Sequence, residues 1–124
     1  GRNTLFVDAA SRFLEAGVPV AAICGATVGL ANAGLLNDRV LTSNAVEILE
    51  SDGYQGHDRY LYDLAVTDGD LITASGIAPV EFARAIFERL AFYNPTINDN
   101  WYLLYGQHDA AGFFGLMEAA GHAG

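Results

Sequence analysis

Val18-Pro19-Val20-Ala21-Ala22-Ile23-Cys24-Gly25-Ala26-Thr27-Val28-Gly29-Leu30-Ala31-Asn32-Ala33-Gly34-Leu35 is the stretch whose reading decides the fold. Residues 18–23 form a short, uniformly apolar run, the pattern of a parallel strand covered on both faces. The run breaks at the only cysteine of the chain, and small residues of helical period follow. Cys24 is therefore expected where a strand turns abruptly into a helix. A residue held there projects from the carboxyl end of the sheet, where reactive groups of open α/β sheets gather. The unpaired N–H groups and positive dipole end of the following helix favour a thiolate, the reactive form of cysteine. Gly25 and Ala26 permit the close backbone approach such a turn requires. The arrangement is the cysteine counterpart of the G-x-S-x-G elbow in geometry, although Ile23 and Ala26 do not match that motif. The competing reading of a single cysteine is an inert core residue.

Upstream, residues 4–16 place Phe6, Ala9, Ala10, Phe13 and Leu14 on one helical face, with Asn3 as N-cap and Gly17 just past the end. Downstream, Gly34 loosens the helix end and Asn37-Asp38 makes a turn. Residues 39–43 then read as a second strand, closing a βαβ crossover. Residues 44–50 fit either a helical turn or a short strand, and 51–58 is dense in turn formers. Residues 60–66 read as a strand, 67–70 as a hairpin turn, and 71–74 as a further strand. Pro79 opens a helix whose buried stripe is Val80, Phe82, Ala83, Ile86, Phe87 and Leu90. Asn94-Pro95-Thr96 ends it, and two more helical segments hinge near Gly106. Their aromatic residues fit packing on the sheet or a subunit interface.

The 124 residues fit a single domain, 1–124, with a substantial core. Fifteen acidic residues face six arginines and no lysine, a formal net charge of −9. Such a surface repels phosphate backbones and anionic bilayers, so neither nucleic acid nor membrane is an expected partner. The single cysteine excludes an internal disulfide and suits a reducing cytoplasm. One cysteine and three dispersed histidines give no metal-ligand pairs of the usual spacing, and neither a metal nor another cofactor is expected. Glu47, Glu50 and Asp52 read as a solvated acidic face, Glu81 as a buried structural acceptor, and His108 and His122 as surface residues.

Four segments together resemble the ThiJ/PfpI superfamily, which shares its sheet and cysteine elbow with class I glutamine amidotransferases. They are Ala22-Ile23-Cys24-Gly25-Ala26-Thr27; Ala33-Gly34-Leu35-Leu36; Thr42-Ser43-Asn44; and the run from Asp68-Gly69-Asp70 through Ser75-Gly76, continued by Pro79-Val80-Glu81-Phe82-Ala83. The resemblance extends from about Thr4 to Leu90. It implies a three-layer α/β sandwich with a mainly parallel, flavodoxin-like sheet, and Cys24 as nucleophile. It also implies a carboxylate and a Gly-rich turn upstream of Thr4, so that this chain is the C-terminal portion of the domain, with the first strands lying before it. His57 matches the position of an active-site histidine in one branch, where an imidazole exchanges protons with thiol and leaving group. Asp58 is the candidate to orient it, and the N–H of Gly25 is the candidate oxyanion donor. The protease-like branch has histidine directly after the nucleophile. Gly25 stands there instead, which argues against peptidase activity.

The leading expectation is thus a cysteine-dependent, hydrolase-like enzyme acting on a small carbonyl or amide substrate, as a homodimer or other homo-oligomer. A redox-sensing or stress-response binding protein using the same cysteine is the alternative, and a catalytically inactive scaffold is a third.

Overall fold

The computed structural model describes residues 4–50 and 53–122. Helix α1 (Thr4–Glu15) leads to strand β1 (Val20–Ile23). Helices α2 (Gly25–Asn32) and α3 (Val46–Glu50) follow, then a 3₁₀ turn (His57–Arg59) and strands β2 (Ala65–Asp68) and β3 (Leu71–Ala74). The chain finishes with α4 (Pro79–Leu90), α5 (Pro95–Tyr105) and α6 (Ala111–His122). The expected N-cap, Asn3, and Asp52 of the acidic face lie outside the described residues.

Gly17 ends α1 as expected. Its φ of 74° is open to glycine without penalty, and Val18 N–H closes back on the carbonyl of Phe13 at 2.8 Å. The chain thereby reverses into β1. The sheet order is β1-β3-β2. Strand β1 runs parallel to β3, from Val20 opposite Leu71 to Ile23 opposite Ala74, and β2 runs antiparallel to β3. The hairpin turn is tighter than 67–70, because Asp68 pairs with Leu71 and only Gly69, at φ 58°, and Asp70 connect them. Arg89, near the end of α4, bonds the Asp70 carboxylate and donates through Nε to the Gly69 carbonyl at 3.1 Å, tying helix to hairpin.

All four β3 residues are buried, as a central strand requires. Alternation sends Leu71, with Val20 and Ala22 of β1, into a core shared with Ala10 of α1, Leu30 and Ala31 of α2, and Val46 and Leu49 of α3. Ile72 and Ala74 point the other way, toward the face over which α4 packs. Helices thus lie on both faces of the sheet, the α/β sandwich that the resemblance implies. Strand β1 itself is covered on one face only: Val20 and Ala22 are buried while Ala21 is exposed and Ile23 partly so, where coverage on both faces was expected. Leu30, Leu36, Leu41, Leu49 and Leu71 are fully inaccessible, and truncating any one of them to alanine costs about 2 to 5 kcal/mol.

Three expectations are corrected. First, residues 39–43 are not a ladder strand; their only strand-like feature is a parallel bridge between Leu41 and Tyr60. Side chains have captured the segment instead: Thr42 N–H donates to Thr73 Oγ1 at 2.9 Å, and Thr42 Oγ1 donates to the Asp63 carbonyl at 2.8 Å. The parallel partner of β1 is accordingly β3, and the crossover contains α2, α3 and β2. Second, the same capture of Asp63 delays the strand expected over 60–66, and β2 begins at Ala65. Third, no α4 residue is fully buried: Leu90 is 51% exposed, and the rest of the expected stripe is only half covered. The ambiguous 44–50 segment resolves as α3. The two C-terminal helices flank Gly106 as expected; Phe87 of α4 meets Trp101 of α5 edge-on at 5.1 Å between ring centroids.

Candidate functional site

Cys24 sits between β1 and α2 with φ 58° and ψ −127°, a region that residues bearing a Cβ rarely adopt. Such a conformation costs about 1 to 3 kcal/mol and persists only where its surroundings over-determine it. They do so here. Cys24 N–H extends the parallel ladder to the Ala74 carbonyl at 3.1 Å. The Cys24 carbonyl accepts from Thr27 Oγ1 at 2.6 Å and from Thr27 N–H at 3.2 Å. The thiol is exposed rather than packed in the core, which removes the inert-core reading. Gly25 opens α2, so its N–H has no partner within the helix, and a Cβ built on it would meet nothing within 4 Å.

Asn44 is the side chain that touches the sulfur. Its Nδ2 donates to Sγ at 3.2 Å, while its Oδ1 accepts Gly76 N–H at 2.6 Å. Gly76 closes the other side, since a Cβ there would lie 3.0 Å from Sγ and 3.1 Å from Asn44 Oδ1. Cys24, Asn44 and Gly76 are all solvent-exposed.

Beneath them lies a buried hydroxyl chain. Thr27 Oγ1 meets Ser43 Oγ at 2.7 Å. Because the Thr27 proton goes to the Cys24 carbonyl, Ser43 is the donor in this pair. The Tyr60 hydroxyl accepts Ser43 N–H and donates to the Ser43 carbonyl, both at 3.1 Å. Residues 42–44 are therefore fastened to α2, β3 and Tyr60, and Asn44 is delivered to the elbow on a fixed backbone. A cleft of about 240 Å³ borders Asn44 and Ser75, with Tyr62, Asp63, Leu64 and Ile77 among its walls.

The structure does not bring His57 to Cys24. His57 lies in the 3₁₀ turn, where its Nδ1 pairs with Glu50 and the side chain is 61% exposed. Asp58, exposed in the same turn, bonds neither His57 nor Cys24. The two expected catalytic residues, Cys24 and His57, are thus not in contact, and Asn44 occupies the place by the sulfur that the imidazole was expected to fill. Glu50 is correspondingly more than part of a solvated face, while Glu47 is exposed as expected. Glu81 is the structural acceptor foreseen, half-buried and taking the Tyr102 hydroxyl at 2.9 Å. That bond, with burial, raises the Tyr102 phenol above its ordinary value. His108 is exposed, and the side chain of His122 lies outside the described set. Among the described residues no cluster of three or more His, Cys, Asp or Glu side chains is arranged to hold a metal ion, and no helix is long and apolar enough to cross a membrane.

The missed residue, Asn44, had one signal in the sequence: two hydroxyl residues and an amide, Thr42-Ser43-Asn44, where a buried strand should have been apolar.

An α/β sandwich with a strained, exposed cysteine at the carboxyl end of a parallel strand defines the class. Within that class the chain belongs to the DJ-1/PfpI family, whose pattern matches residues 1–89. It is 43% identical over 106 residues to the uncharacterized protease YoaZ of Bacillus subtilis (strain 168), covering 84% of this chain and 50% of that one. It is 40% identical over 79 residues to the uncharacterized protease YdeA of the same organism, covering 63% and 40%. The chain spans about half the length of the curated relatives it matches. Among solved structures, a thiJ/pfpI family protein from Bacillus anthracis superposes with a TM-score of 0.89 at 38% identity, over 94% of this chain and 56% of that one. A DJ-1 superfamily protein from Agrobacterium tumefaciens gives 0.73 at 33% identity, over 82% and 55%.

Proposed function

We propose that the protein is a cysteine-dependent, hydrolase-like enzyme in which Cys24 attacks the carbonyl carbon of a small aldehyde or amide. The observation that carries this reading is the backbone of Cys24. A strained φ is maintained by three hydrogen bonds, and it holds an exposed cysteine at the N-terminal end of α2. The sulfur donates an electron pair to form the S–C bond, and the carbonyl π pair moves to oxygen, where Gly25 N–H receives the oxyanion. With an aldehyde, a proton from solvent completes a hemithioacetal; water then adds its oxygen to that carbon as the C–S bond breaks, releasing the aldehyde hydrate and returning the thiolate with loss of one proton to solvent. With an amide, collapse breaks C–N, the amine leaves with a proton from solvent, and water hydrolyses the thioester. His57 is left out of this sequence because Glu50, not the sulfur, is its partner.

The protease names of the two Bacillus subtilis relatives support a hydrolytic direction, and Gly25 after the nucleophile favours small substrates over peptides. The proposal extends to a homodimer or other homo-oligomer, supported by the exposed Phe113, Phe114 and Met117 along α6, and to a cytoplasmic setting, supported by the single free cysteine.

Cys24→Ser in the intact protein tests the reading against a panel of aldehydes and amides. Turnover is expected to fall to background with the thermal melt unchanged, and turnover surviving the substitution removes Cys24 from the chemistry. Addition of oxygen at Cys24 by peroxide, with no panel substrate turned over by the parent protein, assigns the cysteine to redox sensing instead.

A further inference from the structure

We infer that Asn44 is a positioning residue for Cys24, an amide locked in one orientation so that an N–H donor faces the sulfur and steadies its negative charge. The inference rests on the reading of Cys24 as nucleophile and specifies how that nucleophile is held.

A side-chain amide has an accepting end and a donating end of nearly equal size, and only its partners decide which points where. Gly76 decides it here. Its backbone N–H points at Asn44 from 2.6 Å and can only donate, so Oδ1 must face Gly76 and Nδ2 must face Sγ, 3.2 Å away. The backbone behind Asn44 has no freedom to undo this. Thr42 and Ser43 are buried, with their main-chain groups spent on Thr73 and Tyr60. Gly76 has to lack a side chain for the three groups to meet.

The chemistry differs from that of the histidine expected beside the sulfur. An amide N–H neither takes nor returns a proton at neutral pH, so Asn44 cannot act as a base. Its contribution is a fixed dipole that favours the anionic sulfur and keeps it aimed. This is a role in the state of the thiol, and it can be read without knowing the substrate.

The test is the pH profile of Cys24 alkylation by iodoacetamide, followed by intact mass, in the parent protein and in Asn44→Asp and Asn44→Ala, each first shown to be folded by its thermal melt. Aspartate keeps the size and the acceptor for Gly76 but turns a carboxylate oxygen toward the sulfur. Like charge disfavours the anion, so alkylation at pH 7 is expected to fall roughly tenfold or more and the midpoint to move up by about one pH unit. Alanine removes the donor without adding charge, and a smaller fall is expected. Either variant, if folded, decides the matter, and profiles that superimpose on the parent's overturn the inference. In the unaltered protein the Asn44 side-chain NH₂ resonances are expected to titrate with the alkylation midpoint; resonances indifferent to that titration also overturn it. If Cys24→Ser abolishes turnover while the Asn44→Asp profile is unchanged, the positioning role fails and the nucleophile reading stands. If the profile shifts while the parent turns over no aldehyde or amide, the reaction assignment fails and the positioning role stands.

Discussion

Tyr60→Phe tests whether the buried hydroxyl chain holds the elbow. The ring of Tyr60 is 7% exposed and its hydroxyl serves both main-chain groups of Ser43, itself 4% exposed, at 3.1 Å each. Phenylalanine preserves the ring and its edge-to-face contact with Tyr62, so little packing is lost. What changes is that one buried N–H and one buried C=O lose their partner. Each such orphan costs about 1 to 3 kcal/mol, and Ser43 Oγ still competes for local partners, so a net loss of about 2 to 4 kcal/mol is expected. Urea denaturation of the intact protein reads it as a lower midpoint at unchanged slope. Asn44 follows Ser43 directly, so loosening Ser43 misaligns the amide at Sγ. Alkylation of Cys24 in the still-folded variant is then expected to slow by roughly threefold, the equivalent of about 0.7 kcal/mol. A stability loss under about 0.5 kcal/mol together with an unchanged alkylation rate refutes the reasoning, because the chain from Tyr60 to Asn44 would then carry neither stability nor alignment.

Two further predictions concern the rest of the fold. Gly112→Ala places a Cβ 2.4 Å from the Asn100 carbonyl oxygen and 2.6 Å from the Leu104 nitrogen; both are backbone atoms of α5 that no rotamer change moves. A cost of about 3 kcal/mol or more and faster proteolysis within 106–110 are expected, and wild-type protease resistance contradicts that packing. Tyr54, whose hydroxyl donates to the Gly56 carbonyl at 2.6 Å, has its phenol pushed up to about 12, chiefly by burial. The raised folded-state value means its contribution is complete below pH 10 and lost between pH 10 and 12. The loss is expected to reach up to about 3 kcal/mol and to vanish in Tyr54→Phe, as read by urea midpoints across that window.

The parts of the fold legible in the sequence are those governed by local rules. The apolar run over 18–23 was legible as a strand, although only residues 20–23 form it and only the face of Val20 and Ala22 is buried. Gly17 was legible as the turn after α1, and Pro79 and Asn94-Pro95 open α4 and α5. Cys24 was legible because the break in pattern falls on it. The segment 39–43 was not, because Thr42 and Ser43 have strand-forming character but spend their hydrogen bonds on side chains up to 31 residues away. That competition appears only when the elements are assembled. The histidine failed for a related reason. Spacing from the Asp68 turn says nothing about direction, and a carboxylate seven residues before it, Glu50, claims its ring. Thr42-Ser43-Asn44 marked a polar break in the expected strand, but that Asn44 meets the sulfur stayed hidden, because the glycine that orients it lies 32 residues further on.

The most direct measurement of the elbow is the alkylation rate of Cys24 at pH 7 in the native protein against the same protein unfolded in guanidinium. A strained turn that exposes the cysteine, with the Asn44 amide 3.2 Å from the sulfur, predicts a native rate roughly tenfold or more above the unfolded one. A native rate equal to or below the unfolded one would show that the fold shields or ignores this thiol, and Cys24 would lose its standing as the nucleophile.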